Sequence, residues 1–260
     1  TTMLFNSLEF LGFLPCVLLL FGTMPVAQRW VALLLASYVF YGIWQPFNLV
    51  YLGAVTIVMY GCGQAMAREA RPAIRKLLLS IGLIALLGSL VAFKFYDFAA
   101  GEIERSLAST FSVALPKLGI TAPAGYSFYI FSAASYLIDL YLGRLSGNHH
   151  PAHVALYAAY FPKIFAGPIE RATTFLPQTA LPRTDAKLVV PALQLIGWGL
   201  FKKVVIADNL APLVDRTFAI AAYASPIELL ISVYFFAFQI YCDFSDYTDI
   251  AIGVSQLFGI

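Results

Sequence analysis

Charge is what this sequence has least of. Acidic and basic residues occupy 12% of its 260 positions, where a soluble domain carries about a quarter. Hydrophobic residues fill 60% of the chain and the mean hydropathy is +0.80. That balance excludes an ordinary water-soluble globule and leaves a membrane protein. A net charge of +2 with scattered Lys and Arg excludes a nucleic-acid partner, which would demand a basic stripe along one face. Cysteine is scarce as well: Cys16, Cys62 and Cys242 have no redox or ligand spacing and read as small packing residues in apolar surroundings. The three histidines, His149, His150 and His153, gather in GNHHPAH. Their spacing fits no metal motif, so they read as part of a solvated loop and no metal site is expected. No helix interior is expected to hold a histidine. G-x-S-x-G, Walker, dinucleotide and H-E-x-x-H patterns are all missing, which removes the common nucleophile, phosphate-cradle and zinc-protease signatures. The first apolar run, 10–22, has no basic region before it and no small-residue cleavage site after it, so it reads as retained and not as a removable signal peptide.

What is present is a succession of apolar runs, measured against the roughly 20 residues that cross a bilayer. Crossings are predicted over 4–21, interrupted by Pro15, and over 30–44, 47–66 and 77–98, with Lys94 placed to snorkel. The segment 101–118 begins with Glu102 and Glu104 and carries a polar stripe, which predicts a helix lying in the interface. A further crossing is predicted over 126–142. Gly61 and Gly63 in YGCGQ fall inside an apolar helix, where close packing explains them. The stretch 157–169 contains FPKIFAGPIE, whose two prolines and glycine forbid a plain helix. It is either a surface loop or a re-entrant turn, because broken backbone at membrane depth must be buried in protein or line a cavity. Helices are expected over 189–201, 204–222 and 226–241, and a last segment over 247–260. The end at LFGI, without a polar tail, suggests a chain cut from something longer. The basic loop 68–76 is assigned to the cytoplasm by the positive-inside rule, with 101–123 outside and Arg29 and Arg144 on the cytoplasmic side. The expected fold is therefore an all-α polytopic transmembrane helical bundle with interfacial and re-entrant or broken helices, read as one domain over 1–260.

Against this background YCDFSDYTDIAIG stands out, with Asp243, Asp246 and Asp249 at every third position. On a helix these three drift across a single face. Ionised carboxylates in hydrocarbon cost several kcal/mol each, so that face must meet a bundle interior, a wet cavity or the headgroups. One reading has Asp243 and Asp246 capping and fixing a helix break at the interface, helped by Ser245 and Thr248. The other makes them an acidic funnel wall, or orienters of a catalytic group. Lys202 and Lys203 in GLFKKVV either fix a helix at the headgroups or attract a phosphate-bearing donor. Glu170 and Arg171 after AGPI either pair with one another or line the broken region.

Six collinear stretches resemble the membrane-bound O-acyltransferase family, and within it the branch of alginate O-acetyltransferases. They are LFNSLEFLGFLP at 4–15, ASYVFYGIW at 36–44, GYSFYIFSAASYLIDLYLG at 125–143, FPKIFAGPIERATTFLPQ at 161–178, GLFKKVVIADNLAPLVD at 199–215 and FQIYCDFSDYTDIAIG at 238–253. Asp246 departs from the family, whose members usually have glycine there, and Ile130 and Ser132 replace a more usual Gln and Thr pattern. The family's histidine lies downstream of the CDFS-type motif, and none of His149, His150 or His153 matches it.

The resemblance implies transfer of an acetyl or other short acyl group to a hydroxyl of an exported polysaccharide such as alginate, in a bacterial inner membrane. It implies no catalytic residue within this chain, no bound cofactor, an acyl donor such as acetyl-CoA or an acyl carrier, and extracytoplasmic acetylation partner proteins. The downstream histidine would serve as general base on the acceptor hydroxyl, and the 260 residues alone are expected to be inactive. Asp243, Ser245, Asp246, Asp249, Glu170, Lys202 and Lys203 are expected to shape or support a cavity. Three alternatives stay open: D-alanyl transfer to teichoic acid by a related branch, a transporter with midplane acids, for which no inverted repeat is apparent, and a non-catalytic assembly subunit.

Overall fold

The computed structural model describes residues 5–44, 46–107, 122–182 and 184–260. Among these every regular element is helical. The helices are α1 Leu8–Thr23, α2 Arg29–Trp44, α3 Asn48–Arg68, α4 Pro72–Leu107, α5 Tyr126–Tyr141, α6 Pro151–Ala159, α7 Ala172–Ala180, α8 Ala186–Phe201, α9 Asp208–Ala219 and α10 Pro226–Leu257. A short 3-10 turn, Val26–Gln28, leads into α2, and a π-helical segment, Lys202–Ala207, joins α8 to α9. Among the described residues, five stretches are long and apolar enough to cross a membrane: Val26–Ile43, Asn48–Arg68, Pro72–Glu102, Ala186–Ala219 and Pro226–Leu257. The bundle is thus all-α and polytopic.

Several boundaries differ from the sequence expectation. The crossings expected over 4–21 and 126–142 are helices of 16 residues each, shorter than a full span. Pro15 sits inside α1 without ending it. The interfacial helix expected over 101–118 does not begin separately, since 101–107 continue α4 and the remainder, 108–118, lies outside the described residues. The helices expected over 189–201 and 204–222 are one continuous path through the π segment. The break expected between 241 and 247 is missing, because α10 runs unbroken for 32 residues. Its start is fixed by a capping box. The Ser225 hydroxyl accepts from the Glu228 N–H at 3.3 Å, the Glu228 carboxylate accepts from the Ser225 N–H at 2.8 Å, and Pro226 occupies the first turn, where its missing donor costs nothing.

The described chain forms two compact units. The first comprises Thr1–Trp44, Tyr160–Pro168 and Pro177–Ile260. Within it α8 and α10 pack side by side in opposite directions. A Cβ on Gly199 would meet the Asp246 carbonyl oxygen at 2.8 Å and Ile250 Cγ1 at 2.6 Å, and one on Gly253 would meet the Ala192 carbonyl oxygen at 2.7 Å. The two glycines let backbone lie against backbone, as small residues do in membrane bundles. The outer face of α10 carries exposed Leu230, Val233, Tyr234, Phe238 and Tyr241, the apolar surface a bilayer would cover.

The second unit comprises Gln45–Ala159 and Ile169–Leu176. Its α5 buries Tyr129, Ile130, Ala133, Tyr136, Leu137 and Leu140 against α3 and α4. Of the paired glycines in α3, only Gly63 explains itself by packing. A Cβ there would meet Leu140 and Tyr136 side chains at 2.9 Å, whereas Gly61 has nothing within 4 Å. The C-terminus of α5 is closed by Gly143 at φ +72 with the Arg144 N–H donating to the Asp139 carbonyl at 2.9 Å, and Arg75 donates to the Leu140 and Tyr141 carbonyls at 3.2 and 3.3 Å. These contacts satisfy carbonyls a helix end leaves open. His153 lies in the first turn of α6, which corrects the expectation of a purely solvated histidine loop. The Tyr126 hydroxyl donates to Ser89 at 2.8 Å, tying α5 to α4.

Candidate functional site

The paired lysines and the acidic face of α10 meet in the first unit. Lys202 is buried, and its ammonium lies 2.6 Å from Asp249 Oδ2 and donates also to the Ser245 hydroxyl. Lys203 is bound by Asp243 at 2.7 Å and by Asp208 at 2.9 Å. Adjacent residues of an ordinary helix point well apart. The wider turn of the π segment, a distortion frequent at functional sites, brings both ammonium groups to α10. Both lysines are therefore ion-paired to carboxylates within the protein. Likewise Asp243 and Asp246 cap no helix break. Thr248 does bond locally, its hydroxyl donating to the Phe244 carbonyl at 3.1 Å.

A cavity of about 270 Å³ opens on this cluster, lined by Phe5, Asn6, Phe40, Phe165, Lys203, Asp243, Asp246 and Tyr247. Lys202, Ser245 and Asp249 belong to the ion-paired support beside it and do not line it. One wall is aromatic. Phe5 stacks on Tyr247 with centroids 4.5 Å apart, and Phe40 lies 5.5 Å from both Phe161 and Phe165. The floor is polar, set by Asp243, Asp246 and Lys203. Asp246 is only 6% exposed, and its carboxylate accepts from the Tyr247 backbone N–H.

The wall depends on the broken stretch after α6, which is non-helical as its prolines dictate. Two of its backbone donors are satisfied by side chains from packed helices and others by its own carbonyls. The Phe161 N–H donates to Ser37 Oγ at 3.1 Å and the Phe165 N–H to the Tyr247 hydroxyl at 3.3 Å, while the Tyr160 hydroxyl donates to Ser255 at 3.2 Å. Phe161 and Ile164 are buried, so this is irregular backbone held inside protein, as a low-dielectric setting requires. Gly167 is needed there, since a Cβ would lie 2.6 Å from Lys163 Cβ and 3.1 Å from its carbonyl carbon.

Glu170 belongs to the second unit. It does not pair with Arg171. The Glu170 carbonyl accepts from the Tyr157 hydroxyl at 2.8 Å, and Arg171 faces Asp139 at 3.9 Å, with Arg144 at 3.7 Å from the same oxygen. Asp139, buried in α5, was not singled out from sequence. The signal was an acid inside the apolar run YLIDLYLG with a basic residue five positions on. The second unit also holds all three histidines. His149 has a buried Nε2 without a hydrogen-bond partner, and burial pushes its imidazole below the usual titration range. No group of three or more His, Cys, Asp or Glu among the described residues is arranged to hold a metal ion.

Comparison with known proteins shows what the chain is similar to. Residues 142–260 match the model of MBOAT, the membrane-bound O-acyltransferase family. The chain is 33% identical over 259 residues to a probable alginate O-acetylase of Azotobacter vinelandii, an alignment covering 99% of this chain and 52% of the relative. A probable alginate O-acetylase of Pseudomonas aeruginosa is 32% identical over 259 residues, covering 99% of the chain and 50% of the relative. A peptidoglycan O-acetyltransferase of Helicobacter pylori is 30% identical over 283 residues, covering 98% and 52%. The chain thus spans about half the length of these relatives.

Proposed function

We infer that the chain belongs to the membrane-bound O-acyltransferase family and forms part of an enzyme transferring a short acyl group to a hydroxyl of an exported polysaccharide. Acetyl is the acyl group favoured by the names of the relatives, and a bacterial inner membrane is the implied setting. The observation that carries the reading is the polar-floored, aromatic-walled cavity braced by two lysine–carboxylate clusters inside an otherwise apolar bundle. Charges are retained in a membrane interior where they serve a pathway or a site. All 260 residues are read as one portion of a single membrane-embedded domain.

The reaction asks for an activated acyl donor, such as acetyl-CoA or an acyl carrier. The acceptor oxygen attacks the thioester carbonyl, the new C–O bond forming as the C–S bond breaks. The hydroxyl proton passes to a general base and on to the leaving thiolate. The resemblance to the family implies a histidine base downstream of the CDFS-type motif, to which none of His149, His150 or His153 corresponds. Asp243, Asp246 and Lys203 line the space, while Lys202, Ser245 and Asp249 hold its floor in place. Extracytoplasmic proteins that pass the acyl group onward are the expected partners.

The test is transfer of label from an acetyl donor to extracted exopolysaccharide by membranes carrying the protein at the length of its relatives, beside membranes carrying the 260 residues alone. Labelling by the longer form only, lost in Asp243→Ala, supports the reading. No labelling by a correctly inserted longer form with its partners present overturns it.

A further inference from the structure

Two spaces in the first unit share a border. The cavity over Asp243, Asp246 and Lys203 adjoins a groove of about 420 Å³, and Phe5 and Asn6 line both. The rest of the groove is apolar, formed by Leu11 of α1 with Gly197, Leu200, Phe201, Val204 and Val205 of α8 and the π segment. Leu11, Phe201, Val204 and Val205 are exposed, so the groove lies on surface that a bilayer covers. A polar cavity that continues into an apolar groove fits an amphiphile, its head in the one and a chain along the other. The charges then say which head. Two ammonium groups, of Lys202 and Lys203, face four carboxylates, of Asp208, Asp243, Asp246 and Asp249, which leaves the ionised cluster with negative charge in excess. Asp246 is the acid without a cation. It is 6% exposed, it lines the cavity, and its carboxylate bonds only the Tyr247 backbone N–H among the described residues. A buried carboxylate in an apolar bundle calls for a positive partner, and no described group of His, Cys, Asp or Glu is arranged to make that partner a metal ion. A primary ammonium donates N–H bonds to carboxylates, which a trimethylated head cannot do. On the same lining Lys203 spends two of its N–H donors on Asp243 and Asp208. The third, with the Asn6 amide, is available to phosphate oxygens.

We propose that the cavity and the groove together hold one phospholipid with a primary-amine head, its ammonium on Asp246 and Asp243, its phosphate on Lys203 and Asn6, and one acyl chain along the groove past Gly197. The inference goes beyond the acyltransferase reading and does not rest on it. The lipid neutralises Asp246, and a ligand of the reaction reaches Lys203 and Asp243 by displacing the lipid head.

The test is native mass spectrometry of the purified chain released from detergent micelles that hold phosphatidylethanolamine, phosphatidylcholine and phosphatidylglycerol in equal amounts and with the same acyl chains. The expected result is one saturable phosphatidylethanolamine adduct, about threefold or more above either of the others. Asp246→Asn keeps the shape and removes the charge, so it should bring phosphatidylethanolamine level with phosphatidylcholine. Gly197→Leu adds a side chain where a Cβ meets nothing within 4 Å, and by filling the groove it should weaken the adduct severalfold. Equal retention of the three lipids overturns the proposal, as does preference for phosphatidylcholine, which would make the head site one for quaternary ammonium, or for phosphatidylglycerol, which would leave Asp246 without a part in it. A preference for phosphatidylethanolamine that survives both substitutions places the lipid elsewhere and overturns it too. The wild-type comparison of heads stands even if a variant fails to fold.

Discussion

Lys202 and Lys203 are neighbours in sequence with different degrees of burial, their side chains being 7% and 27% exposed. The difference sets what each pair is worth. Removing one partner of a buried ion pair leaves an uncompensated charge and costs about 3–5 kcal/mol. Lys202→Ala should therefore lower the thermal unfolding temperature in detergent far more than Lys203→Ala, and Lys202→Met combined with Asp249→Leu should recover much of the loss. A double-mutant cycle read by thermal unfolding checks this. Ser37 supplies a second residue-level prediction. It is fully buried and accepts the Phe161 N–H, so Ser37→Ala should cost about 1–3 kcal/mol for the stranded donor, while Thr56→Val, whose hydroxyl bonds only its own helix, should cost less. His149 gives a pH dependence. Burial lowers its titration in the folded state, so the unfolded chain binds a proton that the folded chain resists. Its contribution is full above about pH 6.5 and declines as pH falls through that value, levelling off below the folded one. Unfolding measured from pH 7.5 to 5 should show the decline, and His149→Gln should flatten it.

At the scale of elements, α8 and α10 are held together by absence of side chain as much as by charge. Gly199→Ala or Gly253→Ala should push the helices apart and cost roughly 1–3 kcal/mol, with the lysine–carboxylate distances lengthened. Gly61→Ala, open on all sides within 4 Å, should be neutral or stabilising by up to about 1 kcal/mol. Thermal unfolding of the three variants side by side decides it. The existence of these helices was legible from apolar length, and so was the broken stretch near 161–168, because prolines and glycine act locally. What was not legible was continuity. Lys202 and Lys203 read as an interruption between two helices, and the Asp243–Asp249 run read as a break. Each set of charges looks disruptive in its own helix, yet Lys202 pairs with Asp249 and Lys203 with Asp243, some 40 residues away, with Asp208 adding a local partner to Lys203. Single-sequence patterns carry no such long-range pairing. The same limit hid the role of Asp139, whose guanidinium partner Arg171 lies on another segment.

For the whole molecule, the legible part was class and the illegible part was division. Hydropathy alone announced a polytopic α-bundle, whereas the interleaving of 160–168 with the first unit and 169–176 with the second follows from contacts that no local pattern encodes. Topology remains open to direct measurement. With the basic loop between α3 and α4 on the cytoplasmic side, a cysteine introduced as Ala70→Cys should react with an impermeant maleimide only after the membrane is opened, in a background where Cys16, Cys62 and Cys242 are replaced. Labelling in sealed cells would reverse the orientation. The lysine–carboxylate clasp between α8 and α10 also bears on how the protein is made. Each charge presented to the bilayer centre adds about 2.5–3.5 kcal/mol to the cost of insertion, and the α8–α9 stretch emerges from the ribosome carrying Lys202 and Lys203 before the acids of α10 exist. That stretch would leave the translocation machinery cleanly only as a hairpin with α10, so biogenesis should stall or mislocalise when synthesis halts near residue 225 and proceed once α10 has followed.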